Sequence, residues 1–291
     1  MNSFIFLGGD LRMIYAAKRL NKEYRCMAYG FENIEIPCEF PILRTAVKAD
    51  CIVLPLPLTV DGETVSSPYS AKPIPIDIIP EFAADNAVIF TGKECPALIQ
   101  LCAERGYTLI DYFCREELQV MNAVPTAEGA IEIALREMAS TIAGSSVLIT
   151  GYGRISRALV PRFKALGADV TVCARRCEQL AWAEAEGCKA VSLIDKNKLE
   201  ERLPQFDIVL NTVPARIFGR ERLLLLKKDC LIIDLASKTG IDDMELAKNV
   251  GVRVIWALSL PGKTAPVTAG EIIASTIRNI ISEKGGSGNE R

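Results

Sequence analysis

At 291 residues the chain is long enough for one large domain or two of ordinary size. It is 49% apolar and 24% charged, a balance that builds packed cores and excludes wholesale disorder. The formal charge of −2 gives no sign of a nucleic-acid or membrane-surface protein. The complete absence of histidine argues against a zinc enzyme, a Ser-His-Asp hydrolase or a hydroxy-acid dehydrogenase built on a histidine–carboxylate pair.

In chain order, short apolar runs alternate with segments of helical period, which predicts βα units and a mainly parallel sheet. "SFIFLGG", "RCMAYGF", "DCIVLPL", "AVIFTG" and "YTLIDYF" read as buried strands, with "DLRMIYAAKRL" and "CPALIQLCAERG" as helices between them. The proline-rich stretch from Pro55 to Pro80 reads as an irregular loop, with a turn at "DGET". Residues 1–124 are thus expected to form a flavodoxin-like or Rossmann-like α/β domain that meets substrate or partner. A bridging helix is expected over 125–144, "PTAEGAIEIALREMAST", with proline near its start. From 145 to 267 a second α/β series, "SVLITG", "DVTVCA", "KAVSL", "DIVLNTV", "CLIIDLAS" and "VRVIWAL", predicts a Rossmann-type doubly wound parallel sheet. A helix over 268–283 is expected to pack back toward the first domain, and 284–291 to be a flexible tail. Two α/β domains with a cleft between them is the predicted architecture.

Ten cysteines stand singly in apolar runs, and Cys173 and Cys177 lack CxxC spacing, so they read as small core residues. "FIFL" at the N-terminus is too short for a signal peptide, and no apolar run reaches membrane-spanning length. A cytoplasmic protein with reduced thiols is the expectation.

"SVLITGYGRIS" sets Gly151 and Gly153 directly after a buried strand and before an amphipathic helix. Gly151 suits the tight turn. Gly153 lets backbone amides approach a pyrophosphate at the helix start, where Arg154 adds charge and Ile155 comes next. Ser156 stands where a third glycine is usual. The next strand ends "VTVCARR", with no acid before Glu178 to accept the ribose hydroxyls of NAD. Arg175 and Arg176 are placed instead to hold a 2′-phosphate, which favours NADP, although one of the pair alone would pass for a solvated loop residue.

Ligands on open parallel sheets collect at the carboxyl ends of the strands. There "NTVPAR" offers Asn211, Thr212 and Pro214 beside the ribose and nicotinamide, or an ordinary asparagine turn. "DLASKTG" offers Ser237 and Lys238, with Asp234 structural. "ALSLPGKTAP" offers Gly262 and Lys263 before a helix, a setting for a carboxylate or a plain surface lysine. In the first domain, Arg12 of "GGDLR" is positioned either to hold an anionic substrate across the cleft or to lie solvated while Asp10 caps the helix.

Taken together, "FLGGDLR", "YGFE", "VLITGYGRIS", "VTVCARR", "LNTVPA", "IDLASKTG" and "LPGKTAPVTAGEIIASTI" resemble the dipicolinate synthase A subunits of endospore-forming bacteria over nearly the whole chain. The second domain is also similar to the cofactor domain of hydroxy-acid dehydrogenases and adenosylhomocysteinase. Ser156, and "SKTGID" where a second glycine is common, depart from the pattern. The resemblance implies NADP-linked oxidation of dihydrodipicolinate, or its hydrated precursor, to pyridine-2,6-dicarboxylate in the mother cell, alongside a smaller flavoprotein-like B subunit. Arg12 and Lys263 are then expected on the substrate carboxylates and Lys238 at proton removal, with no metal. The two other readings are a stand-alone NADP-dependent dehydrogenase of an amino or hydroxy acid and a non-catalytic NADP-binding subunit.

Overall fold

The computed structural model describes residues 2–286, which divide into two compact units, 2–122 with 265–286, and 123–264. In the first, β1 (Ser3–Leu7), α1 (Leu11–Leu20), β2 (Arg25–Tyr29), β3 (Ile42–Leu43) and β4 (Ala49–Val53) come first. A two-stranded hairpin is next, β5 (Thr64–Val65) with β6 (Ile74–Pro75), then α2 (Ile79–Phe82), β7 (Ala83–Thr91), α3 (Pro96–Arg105) and β8 (Thr108–Asp111). Its main sheet is parallel and ordered β3-β2-β1-β4-β7-β8.

Helix α4 (Glu116–Glu137) leads to the second unit. There β9 (Ser146–Thr150), α5 (Arg154–Ala165), β10 (Asp169–Ala174), α6 (Cys177–Ala185), β11 (Lys189–Ser192) and α7 (Lys196–Glu200) form its first half. The second half is β12 (Ile208–Asn211), α8 (Arg220–Leu225), β13 (Leu231–Asp234), α9 (Met244–Asn249), β14 (Arg253–Trp256) and the short α10 (Leu260–Thr264). The sheet order is β11-β10-β9-β12-β13-β14, all parallel. Skipping the hairpin, both sheets therefore run 3-2-1-4-5-6, the dinucleotide-binding order rather than the flavodoxin one. The last helix, α11 (Pro266–Gly286), packs on α1 in the first unit.

Both sheets are covered on two faces, which is why their strands read as continuous apolar runs. Phe4 and Phe6 of β1 enter the core shared with Met13 and Ile14 of α1 and Ile273 and Ile277 of α11. Ile5 and Leu7, pointing the other way, join Phe82 of α2 and Leu98 of α3. In the second unit Val147 and Ile149 face Leu159 and Phe163 of α5, while Leu148 faces Leu199 and Leu223. Among the described residues no helix is long and apolar enough to cross a membrane.

Three local expectations need correction. The stretch 55–80 contains the β5–β6 hairpin, because Thr64 and Val65 pair antiparallel with Pro75 and Ile74. The bridging helix begins at Glu116 and ends at Glu137, so Pro125 lies inside it and residues 138–144 outside. Burial of Leu118, Ala123, Ala127, Ala130 and Ala134 at helical spacing carries the helix through the proline. Helix α11 runs from Pro266 to Gly286, past the expected start of the tail; residues 287–291 lie outside the described residues.

Candidate functional site

Strand β9 sits centrally between β10 and β12, so the turn after it opens at the point where strand order reverses. Gly151 there has φ +83°, a left-handed conformation, and a Cβ would stand 2.8 Å from Thr212 Oγ1. Glycine is required at that position on both counts. Gly153 is extended and caps the twelve-residue α5 with no side-chain hydrogen bond. A Cβ at Gly153 would meet nothing within 4 Å. The start of α5 therefore opens on free space. No acid occupies the first turn, and Arg154 is exposed there. Ile155 is half-buried, packed against the core.

Ser156 is wholly buried, and its hydroxyl lies 2.9 Å from Thr212 Oγ1. Thr212 Oγ1 already donates to the Thr150 carbonyl at 2.7 Å, so Ser156 is the donor between the two hydroxyls. The serine that breaks the glycine pattern thus ties α5 to the loop after β12. This contact was not legible from spacing alone.

These elements surround a cleft of about 590 Å³ lined by Gly151, Gly153, Arg175, Arg176, Thr212 and Pro214, with Leu193 and Ile194 as apolar wall. Its size falls in the usual range for small-molecule sites. Strand β10 ends at Ala174, and Arg175 and Arg176 at its tip are exposed. Arg176 pairs with Glu178 at 2.9 Å, whereas Arg175 has no ion-pair or hydrogen-bond partner among the described residues. The first acid after the strand is thereby turned to an arginine.

Asn211, expected beside the nicotinamide, is a correction. It is fully buried, and its side chain is spent within the protein. Its Oδ1 accepts from Thr150 Oγ1 at 2.5 Å and the Val213 amide at 3.2 Å. Its Nδ2 donates to Asp234 Oδ1 at 2.8 Å and the Val213 carbonyl at 3.2 Å. Asp234, also fully buried, in turn accepts from the Ala236 amide at 3.1 Å, Thr239 Oγ1 at 3.1 Å and the Gly240 amide at 2.7 Å. This row across the tips of β9, β12 and β13 braces two loops, 212–215 and 235–240. A wholly used amide in the interior cannot also face a ligand. Lys238 on the braced loop and Lys263 on α10 are both exposed, with no partner among the described residues.

Arg12 is the second correction. It is only 6% exposed, neither solvated nor open to an anion. Its Nε and Nη2 grip Asp10 at 2.8–3.1 Å, and Nη2 also donates to the Leu56 carbonyl. Asp10 meanwhile caps α1 by accepting from the Arg12 amide at 3.0 Å. The guanidinium closes its own turn.

Burial pushes the thiols of Cys26, Cys51, Cys173 and Cys230 up to about 12, so these cysteines are protonated core residues. No group of three or more His, Cys, Asp or Glu is placed to hold a metal ion among the described residues.

Residues 113–258 match the D-isomer specific 2-hydroxyacid dehydrogenase NAD binding domain, and residues 3–113 match the N-terminal domain of the dipicolinate synthase A subunit. The dipicolinate synthase A subunit of Bacillus subtilis strain 168 is 30% identical over 286 residues, 95% of each chain. The chain belongs to the family of dipicolinate synthase A subunits. The crystal structure of the Bacillus halodurans member is 28% identical and superposes with a TM-score of 0.85, covering 96% of this chain and 97% of that one. The crystal structure of the Bacillus subtilis protein gives 0.84 at 28% identity, over 98% and 97%.

As a member of this dipicolinate synthase family, the chain carries a dehydrogenase-type nicotinamide-dinucleotide domain. The residues present fit such a cofactor. The helix start at Gly153 is open, with no atom within 4 Å of a Cβ there, and the cleft beside it is lined by two arginines and no carboxylate.

Proposed function

We propose that this chain is the NADP-dependent dehydrogenase component of a dipicolinate synthase, oxidising dihydrodipicolinate or its hydrated precursor to pyridine-2,6-dicarboxylate in a sporulating mother cell. The observation that carries the cofactor choice is Arg175, an exposed guanidinium without a partner at the tip of β10, where an NAD site would hold an acid. There it receives a 2′-phosphate through charge-assisted hydrogen bonds, with Arg176 and Arg154 adding positive potential. The start of α5 holds the pyrophosphate on amides that have no side-chain cap. Thr212 and Pro214 form the wall along the ribose.

A bound nicotinamide supplies the hydride acceptor. The chain itself has to hold the ring and its two carboxylates and take up one proton; from the hydrated precursor, one water leaves as well. Lys263 offers an ammonium to a carboxylate, and Lys238, carried on the loop that Asp234 braces, is the residue we assign to the removal of the proton. Because the product ring is aromatic, loss of hydride and proton runs downhill, and positioning suffices without a histidine. Family membership further supports a second, flavoprotein-like B subunit working with this chain.

The test is a titration of the purified chain with NADPH and NADH, then dipicolinate formation from enzymatically generated dihydrodipicolinate with and without the B subunit. Tighter NADPH binding and turnover only with both subunits are expected. Equal affinity for the two nucleotides removes the NADP assignment, and full turnover by the single chain removes the partner.

A further inference from the structure

In the first unit the strand order reverses between β1 and β4, the place where open α/β sheets take ligands. The turn after β1 is roofed there. A Cβ on Gly8 would stand 2.9 Å from Val65 Cγ1, 3.1 Å from the Ser66 carbonyl and 3.2 Å from Ser67 Cβ. The roofing segment continues to Pro73 and lines a groove of about 490 Å³.

The polar lining is Ser66, Ser67 and Lys72, and the apolar lining Val60, Pro68 and Pro73. Two other hydroxyls of the segment are already used: Thr64 donates to Asp61 at 2.6 Å and Ser70 to the Lys72 carbonyl at 2.7 Å. The Ser66 and Ser67 hydroxyls and the Lys72 ammonium have no hydrogen-bond partner among the described residues. No carboxylate lines the groove, so Lys72 is its one charge. An adjoining hollow, which shares residues 70–73, adds Arg44 without a partner and Glu32, whose carboxylate takes the Ala71 amide at 3.2 Å. Asp61, held by Thr64 at the groove's edge, and Glu32 offset Arg44 and part of the charge of Lys72, but neither carboxylate lines the groove itself. Free hydroxyls and an ammonium suit a carboxylate, and Val60, 90% exposed, with the two prolines suits the face of a flat ring.

We infer that this groove, built from the first unit alone and separate from the site that Lys238 and Lys263 serve, binds a small planar carboxylate of the kind the reaction proposed above consumes or forms; its ligand's identity rests on that reading.

The test is calorimetric titration of the full chain with pyridine-2,6-dicarboxylate, for the unaltered protein, for Ser66→Ala with Ser67→Ala, and for Lys72→Met and Lys72→Arg. NADPH is titrated into each in parallel. Dicarboxylate binding is expected to weaken about tenfold in the double serine variant and in Lys72→Met, and to return in large part with Lys72→Arg. NADPH affinity should stay unchanged throughout. Unaltered dicarboxylate affinity in both the serine and Lys72→Met variants places the ring elsewhere and overturns the inference, as does absence of dicarboxylate binding by the unaltered chain. Loss of NADPH binding by the unaltered chain would sink the cofactor reading alone. Lys72 is exposed and outside the core, so the inference stays testable if the serine variant fails to fold.

Discussion

The two units share a strand order and differ at the turn that leaves their first strand. After β9 the turn is open: Gly153 faces free space, α5 has no side-chain cap, and Arg175 is unpaired. After β1 the turn is closed: Asp10 caps α1, Arg12 neutralises Asp10, and residues 65–67 lie against Gly8. One topology therefore yields a nucleotide site where the backbone donors at the helix start are left unspent, and a structural corner where they are satisfied from within. A Rossmann strand order by itself does not specify a ligand.

The comparison breaks first at Arg12. Arg12→Ala leaves the Leu56 carbonyl without its donor and the part-buried Asp10 carboxylate with only the backbone amide of residue 12, and should destabilise the protein by about 3 kcal/mol in denaturant unfolding. NADPH affinity should be unaffected, because the closed turn holds no nucleotide. A variant that keeps its stability but loses NADPH binding would make the first turn a second cofactor site.

The open turn is probed by Gly153→Val. Its backbone is extended and its surroundings empty, so the fold should persist by circular dichroism. NADPH binding should fall about a hundredfold or more, close to ~2.7 kcal/mol, since the side chain takes the space a pyrophosphate needs. Normal binding by the folded variant would place the pyrophosphate elsewhere.

Cofactor choice is a smaller effect. Arg175→Ala with Arg176→Ala should erase most of the preference for NADPH over NADH, a loss of about 1.5–2 kcal/mol for charged contacts at an exposed rim. The single Arg176→Ala should cost less than Arg175→Ala, because Arg176 already pairs with Glu178. The reverse ranking in fluorescence titrations would exchange their roles.

Smallest is Ser156→Gly, which restores the usual glycine and deletes the donor to Thr212. It should lower stability by about 1–2 kcal/mol, combining a lost hydroxyl contact with glycine inside a helix. Nucleotide affinity should change less than about threefold, the scale of a loop shift without a lost contact. A large gain in affinity would show that the serine holds the β12 loop away from its best position.

Much of this was legible in the chain itself. Each long buried strand and the β9–α5 turn announce themselves through residues adjacent in sequence, where periodicity and glycine spacing act locally. The two-residue strands β3, β5 and β6 are too short to carry a period, and their existence depends on a partner strand. Pro125 shows the same limit: a local helix breaker sits inside a helix because distant packing outweighs one missing hydrogen bond.

By itself the sequence determined the two parallel sheets, the glycine turn with its arginines, and a chemistry without histidine. Only the tertiary structure decided which polar groups remain free to meet a ligand. Asn211 and Arg12 looked available and are consumed by Asp234, Asp10 and Leu56; Arg175, Ser66 and Lys72 are left over. The physical reason is that a side chain's availability is what remains after its partners are subtracted. Asp10 is a near neighbour of Arg12 in the chain, but Asp234, 23 residues from Asn211, and Leu56, 44 from Arg12, are brought in by strand register and loop packing.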